Sequence, residues 1–280
     1  MEKNDINKIA QYFNIGIIEN IEPVKSGISN QNYYLKTSKG QFVVKFLKNQ
    51  SIDSIKNDIY INKQLNRVNI KSPKYILSNT ENYIYSNGKI NAVVSKKLDG
   101  ENSNVISDEL AYSYGYTLVL FHTNVRSLPF NNSLGLMNPQ ISKIKTEIFD
   151  KHLPTGIIHG DFHSGNALVN SKEPNKISAM LDFEESGENL FLVDLALTVM
   201  GVCSKDNDSV DKVLIESTIR GYQCIRKLTH LEIECFNDAI NYVANAWINW
   251  FVANGYEKYS TRHHNKLNIF NEVKGQIIFK

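Results

Sequence analysis

Three cysteines, Cys203, Cys224 and Cys235, are all the chain has, an odd number with no C-x-x-C spacing. That excludes a disulfide framework and reads as reduced, part-buried thiols of a cytoplasmic protein. Long apolar runs are missing as well, so no stretch is expected to cross a membrane. Met1 to Asp5 is charged and leads to no apolar run of the signal-peptide kind. Charge of one sign is also lacking. The 31 Lys+Arg stand against 29 Asp+Glu for a formal net charge of +2, with neither a basic run nor basic–aromatic alternation, so nucleic acid is not an expected partner. Nothing in the pattern calls for an obligate protein partner. What is present is an ordinary globular composition, 42% hydrophobic and 21% charged over 280 residues. That length is generous for one core and suits two lobes of unequal size.

The residues that carry chemistry gather between Ile157 and Glu184. Stripped of its apolar positions, this stretch reads H-x-D-x-x-x-x-N (His159, Asp161, Asn166), then D-F (Asp182, Phe183) after a strand-like run. The spacing suits transfer of a γ-phosphoryl group to a hydroxyl. Such a reaction needs a carboxylate to orient the hydroxyl and take its proton, and oxygen ligands that hold Mg2+ against phosphate oxygens. Asp161 is the candidate base. Asn166 offers an amide oxygen and Asp182 a carboxylate, the hard donors that Mg2+ prefers. His159 is better suited to holding the loop than to reacting. A metal hydrolase stays open at this point, because His159, Asp161 and His163 also spell H-x-D-x-H, three ligands for Zn2+ or Fe2+ if they alternate along a strand. Gly165-Asn166 argues that the chain has turned before a strand could present them.

Upstream, Asn4 to Phe13 has helical spacing, and three strand-like runs follow at Ile17–Val24, Asn32–Thr37 and Gln41–Leu47. In the third, Lys45 shares a face with Val43 and Leu47, an ammonium among apolar neighbours that needs an anion. Its V-V-K setting is similar to the V-A-I-K lysine of kinases, which holds nucleotide phosphates. The helix expected over Ser51–Arg67 offers Asp58 as its partner. Ser26, Gly27 and Ser29 lie in the loop between the first two strands, where small donors and backbone N–H groups can cover phosphates. Tyr75–Leu77, Tyr83–Tyr85 and Lys89–Val94 read as further strands, with Asn87-Gly88 as a hairpin turn. The lobe boundary follows: residues 1–94 as a sheet lobe, 95–100 as a hinge and 101–280 as a mainly helical lobe. Backbone groups from Ser95 through Lys97 to Leu98 are the expected adenine site. In the second lobe, helices are expected from Ser107 to His122, Ile141 to Lys151, Phe191 to Val202, and from the capping box Thr229-His230-Leu231-Glu232 to Phe251. Asp194, a carboxylate in the apolar run Val193–Ala196, must be hydrogen-bonded and is expected to brace the catalytic loop. Trp247, Trp250 and Phe251 read as core or as a wall of an acceptor pocket.

The combination H-G-D-x-H-x-G-N, L-D-F-E and D-L-A resembles the superfamily of aminoglycoside phosphotransferases, choline kinases and homoserine kinases, small-molecule kinases with a protein-kinase-like fold. The resemblance spans nearly the whole chain. It implies an α+β, two-lobed architecture, with a small antiparallel sheet lobe and a mainly helical lobe. It also implies ATP and two Mg2+ as cofactors, Asp161 as base, Asn166 and Asp182 as metal ligands, and Lys45 on the phosphates with Asp58 in place of the usual glutamate. Gly160 replaces the arginine of H-R-D, Glu184 replaces the glycine of D-F-G, and no A-P-E follows. These departures suit a constitutively active enzyme with a small-molecule hydroxyl acceptor. The Ser26–Tyr34 segment, Gly221–Thr229 and the Trp247 helix are similar to type II homoserine kinases. Asp182-Phe183-Glu184 is closer to choline kinases. An antibiotic kinase would use acidic residues such as Glu184, Glu185 and Glu188 to receive amino groups, and Trp247 or Trp250 would suit choline. A non-catalytic ATP-binding module is the remaining alternative of a different class.

Overall fold

The computed structural model describes residues 3–24, 31–47, 51–130, 137, 144, 146–203 and 209–279. Ser26, Gly27 and Ser29 lie outside them. The architecture is a two-lobed, protein-kinase-like α+β fold. The first lobe is a five-stranded antiparallel sheet with strand order β1-β2-β3-β5-β4. It contains β1 (Ile18–Pro23), β2 (Gln31–Thr37), β3 (Gly40–Phe46), β4 (Tyr85–Ser86) and β5 (Asn91–Lys96), with helices α1 (Lys3–Tyr12) and α2 (Ile52–Arg67). The period-two alternation of β3 divides its work. Phe42, Val44 and Phe46 bury against Ile6, Ile9 and Phe13 of the α1 segment, and the opposite face turns Val43 and Lys45 to the cleft between the lobes. The helix α2 starts where Ser51 accepts a hydrogen bond from the Ser54 N–H, and its Ile55 and Ile59 pack with Leu47 and Val93.

Two expected features of this lobe come out differently. Tyr75–Leu77 is no strand but a single bridge from Tyr75 to Ser95. Ser95 lies inside β5, opposite Val43, and the strand runs on to Lys96 into the expected hinge. The Asn87-Gly88 hairpin is present: the Asn87 side chain accepts from the N–H groups of Lys89 and Ile90.

The second lobe holds α3 (Asp108–Asn124), α4 (Phe191–Val202), α5 (Lys212–Gln223), α6 (His230–Ala253) and α7 (Glu257–Val273). It also has two short antiparallel pairs, β6 (Thr155–Ile158) with β9 (Gly187–Leu190) and β7 (Ala167–Asn170) with β8 (Glu173–Met180). Its apolar core is one cluster that takes in almost all of α4, from Leu192 to Val202. Glycines let α3 and α5 touch backbone to backbone. A Cβ at Gly115 would sit 1.9 Å from the Thr218 carbonyl oxygen, and one at Gly221 2.0 Å from that of Tyr112. Of the helix expected over Ile141–Lys151, the described residues contain only a 3-10 turn at Glu147–Asp150, capped by Thr146. None of the described helices is long and apolar enough to cross a membrane.

Candidate active site

Between the lobes lies a cleft of about 1220 Å3. The stretch from Gly160 to Glu185 forms its floor, β3 and β5 its roof, and α6 and α7 its far wall. The floor begins at Asp194, fully buried in the first turn of α4. Asp194 Oδ2 accepts from the His159 N–H at 2.7 Å and from His122 Nε2 at 2.9 Å, and Oδ1 accepts from the Gly160 N–H at 2.9 Å. Burial works to raise the Asp194 pKa, but hydrogen bonds and the nearby imidazoles more than offset it and hold the carboxyl below its usual range. The expected bracing carboxylate thus grips the backbone of the loop itself. His122 is kept neutral by burial, so with Nε2–H given to Asp194 its Nδ1 accepts from the Tyr222 hydroxyl at 2.8 Å.

His159 extends the brace. Burial lowers its pKa, Nδ1 accepts from the Asp161 N–H at 3.2 Å, and Nε2–H donates to the Leu181 carbonyl at 2.9 Å. Both ring nitrogens are therefore used to tie the loop of Asp161 to the strand end that delivers Asp182. This geometry removes the ligand set of the H-x-D-x-H hydrolase, because His159 has no nitrogen left for a metal. Phe183 packs beneath, its ring 5.1 Å from that of His159 and stacked on Phe121. Gly160 sits at φ +80°, and a Cβ there would lie 2.4 Å from the Glu185 carbonyl oxygen. A larger residue at this position, such as the arginine of H-R-D, meets both obstacles.

Asp161 and Asn166 are joined directly. Asn166 Nδ2 donates to the Asp161 backbone oxygen and to Oδ2, both at 2.8 Å. His163 Nδ1 accepts from the Gly165 N–H at 3.0 Å, which puts the His163 proton on Nε2, 3.5 Å from Asp161 Oδ2. Burial acts to lower the His163 pKa, but the Asp161 carboxylate outweighs it and the net shift is upward. These contacts occupy Oδ2 and leave Asp161 Oδ1 and Asn166 Oδ1 without a protein hydrogen bond among the described residues. Asp182 stands at φ +60°, a left-handed conformation rare outside glycine.

Lys45 Nζ reaches Asp182 Oδ1 at 2.8 Å and Glu184 Oε2 at 3.4 Å, with the lysine side chain only 13% exposed. Burial favours the neutral amine, but the carboxylates of Asp182, Glu184 and Asp58 prevail and keep it charged. Lys45 in turn overrides burial at Asp182 and lowers its pKa. The expected Lys45–Asp58 pair is not a direct contact. Asp58 Oδ1 accepts from Asn62 Nδ2 at 2.6 Å and Oδ2 from the Tyr75 hydroxyl at 2.7 Å. Burial, the largest influence, pushes the Asp58 pKa up to about 6. Both carboxylate oxygens are taken by these partners, and the charge of Asp58 reaches Lys45 only through space. Glu184, expected on the acceptor side, instead faces Lys45.

Ser95, Lys97 and Leu98 line the roof, and Trp247 and Trp250 line the far wall together with Glu185 from the floor. Four lining residues from α7, Tyr259, Arg262, His263 and Lys266, have no counterpart among the expected site residues. Their spacing, i, i+3, i+4 and i+7, is that of one helix face. It passes unnoticed in the sequence because the face is polar and aromatic, not an apolar stripe.

This floor, a loop aspartate hydrogen-bonded to an asparagine and facing a strand lysine across a second aspartate, is accompanied by similarity along the chain. Residues 20–142 and 138–228 match the phosphotransferase enzyme family, APH. The chain belongs to this family. As a member it is a small-molecule kinase. A homoserine kinase of Methylobacillus flagellatus is 24% identical over 241 residues, covering 78% of this chain and 74% of the relative. One from Bartonella henselae is 23% identical over 282 residues, covering 89% and 86%. Among solved structures, an amicoumacin kinase in complex with AMP-PNP, Ca2+ and Ami superimposes with a TM-score of 0.74 at 13% identity, covering 94% of this chain and 92% of that one. A microcompartment-associated aminopropanol kinase does so with a TM-score of 0.74 at 12% identity, covering 97% and 98%. At these identities the structures speak to the fold.

Proposed function

We propose that the protein transfers the γ-phosphate of ATP to a hydroxyl of a small amino acid or amino alcohol, homoserine first among them. The observation that carries this reading is the convergence of Asp161, Asn166, Asp182 and Lys45 on one cleft, with Lys45 2.8 Å from Asp182 and Asn166 2.8 Å from Asp161. In this reading Asp161 Oδ1, the oxygen not engaged by Asn166, receives the acceptor's hydroxyl proton. The hydroxyl oxygen bonds to the γ-phosphorus, the bond from that phosphorus to the β,γ-bridging oxygen breaks, and ADP departs. Lys45 neutralises phosphate oxygens, and the β5 end from Ser95 to Leu98 receives the adenine. The Ser26–Ser29 loop is assigned to the phosphates by its sequence alone.

The donor set fits Mg2+. Asn166 spends its amide N–H groups on Asp161, which turns Oδ1 outward as an oxygen ligand, and Asp182 adds a carboxylate of lowered pKa. Two ions held by these residues would supply charge neutralisation of the triphosphate. A second reading, an amino-alcohol kinase of the choline or ethanolamine type, draws support from the aromatic surfaces of Trp247 and Trp250 in the cleft.

A coupled Mg-ATP assay across L-homoserine, choline, ethanolamine, an aminoglycoside and a macrolide tests both. The expected outcome is the highest kcat/KM on homoserine. Nucleotide binding with none of these acceptors phosphorylated overturns the reading and returns the chain to the class of ATP-binding modules.

A further inference from the structure

Just past the hinge, Glu101 and Val169 exchange two backbone hydrogen bonds of 3.0 and 2.9 Å, which dock the outgoing chain on β7. The next residue, Asn102, lines the cleft and aims its amide at the short 3-10 turn Ser164–Asn166. Its Nδ2 donates to the carbonyl oxygens of Ser164, Gly165 and Ala167 at 3.3, 2.9 and 2.8 Å. An amide nitrogen has two hydrogens, so one of them is shared between two carbonyls. The reverse orientation would set Oδ1 against three carbonyl oxygens, and the neighbours therefore fix which atom points at the turn. The turn closes its own bond from the Asn166 N–H to the His163 carbonyl at 2.9 Å, but so short a helix leaves its remaining carbonyls to outside donors. Leu181, next to Asp182, gives its N–H to the Asn166 carbonyl at 2.9 Å. Asn102 supplies the rest, so every carbonyl from His163 to Ala167 accepts a hydrogen bond.

We infer that Asn102 is a positioning residue of the Mg2+ site: by gathering the carbonyls of the turn, it sets the direction in which Asn166 presents Oδ1. The inference rests on the phosphotransfer reading above, which makes Asn166 a metal ligand. The Asn166 side chain is aimed from two ends. Asp161 holds its Nδ2 through the backbone oxygen and Oδ2, both at 2.8 Å, and the turn holds its backbone. With the second hold loosened, the amide can swing about the first and Oδ1 loses its fixed direction. Mg2+ demands near-ideal octahedral geometry, so a ligand that swings binds it less well. Asn102 is itself exposed, and water can satisfy the three carbonyls in its absence. What water does not do is hold them to one point, so the fold is spared and the metal geometry is not. Aspartate at this position has nearly the same shape but offers no donor, and its charge repels the three carbonyls. Glutamine keeps the amide on a longer stem.

Metal binding is read without turnover by titrating Mn2+, which takes the same oxygen ligands as Mg2+, into protein with ADP and no acceptor. The electron paramagnetic resonance signal of free Mn2+ falls as the ion binds. Asn102→Ala is expected to weaken Mn2+ binding by about tenfold or more, the scale for losing a residue that orients a metal ligand. Asn102→Asp should weaken it further and Asn102→Gln less. ADP affinity in EDTA should stay within about twofold of wild type in all three, because each variant spares the fold. On an Asn166→Ala background, where the oxygen ligand is already gone, Asn102→Ala should add less than about twofold, since it acts through that ligand. Unchanged Mn2+ affinity in Asn102→Ala, a parallel loss of ADP affinity in EDTA, or a full loss on the Asn166→Ala background overturns the inference. Mn2+ binding that depends on Asn102, in a protein that phosphorylates none of the acceptors, would sink the phosphotransfer reading and leave the positioning role standing.

Discussion

The floor of the cleft and its α6–α7 wall are built by different means. On the floor, the loop that carries Asp161 is fixed through its backbone. Asp194 holds the N–H groups of His159 and Gly160, His159 holds the Asp161 N–H and the Leu181 carbonyl, and Asn166 holds the Asp161 carbonyl. On the wall, the groups are side chains projecting from helix faces, positioned by ring packing such as Trp247 on His263 and Phe251 on Tyr259. Backbone anchoring gives one geometry and little freedom to vary. Helix-face side chains can be exchanged one at a time without moving the chain. In the phosphotransfer reading proposed above, the chemistry is housed where substitution is costly, and the choice of acceptor where it is cheap.

The sharpest way to break that contrast is Asp194→Ala. It strips the hydrogen-bond acceptor from two loop N–H groups and from His122 inside the core. Urea unfolding should show a loss of about 3–5 kcal/mol, the scale for removing one partner of a buried charged network. Activity should fall for every acceptor alike. Next comes Lys45→Met, expected to lower kcat by about 10²–10³-fold, the effect of deleting one preorganised electrostatic donor, again whatever the acceptor. A Lys45→Met defect confined to one acceptor would erase the division between floor and wall.

A smaller effect is expected at Asp58, whose carboxyl is raised from 3.8 to about 6 by burial. A group with a raised folded pKa stabilises while protonated. Its contribution is complete below about pH 4 and lost as pH rises through about 6. Wild type should therefore lose up to about 3 kcal/mol relative to Asp58→Asn across that window, at about 1.4 kcal/mol for each pH unit crossed. Parallel pH–stability curves for the two proteins would refute it. The smallest change is Trp250→Leu on the wall. It should raise the acceptor KM by roughly the tenfold or less that one aromatic contact of about 1 kcal/mol supplies, with KM for ATP unmoved.

The floor was largely legible in the amino-acid sequence, because its constraints are local. Asp161, Asn166 and Asp182 sit at fixed offsets, and Asp194 stands out as a carboxylate inside an apolar helix that runs over Phe191–Val202 as expected. Thr229 and Glu232 form the capping box that opens α6, again a signal four residues long. What escaped was set by tertiary contact. The ion partners of Lys45 are 137 and 139 residues away, whereas the nearby Asp58 was drawn off by Tyr75 and Asn62. The strands β6 and β9 are four residues each and pair across a gap that spans the catalytic loop, too short to show a period. The helix α7 hides for a related reason. Its cleft-facing residues are Tyr259, Arg262, His263 and Lys266, so the usual apolar stripe is missing where it lines a site.

The most direct test of the account is phosphate transfer by Asp161→Asn, followed by 31P NMR with Mg-ATP and L-homoserine beside wild type. The account predicts a phosphate monoester from wild type. It also predicts undiminished nucleotide binding in the variant, with monoester formation slowed by about 10²–10⁴-fold, the range for removing a general base. Transfer by Asp161→Asn at the wild-type rate, or release of inorganic phosphate alone from wild type, would contradict it.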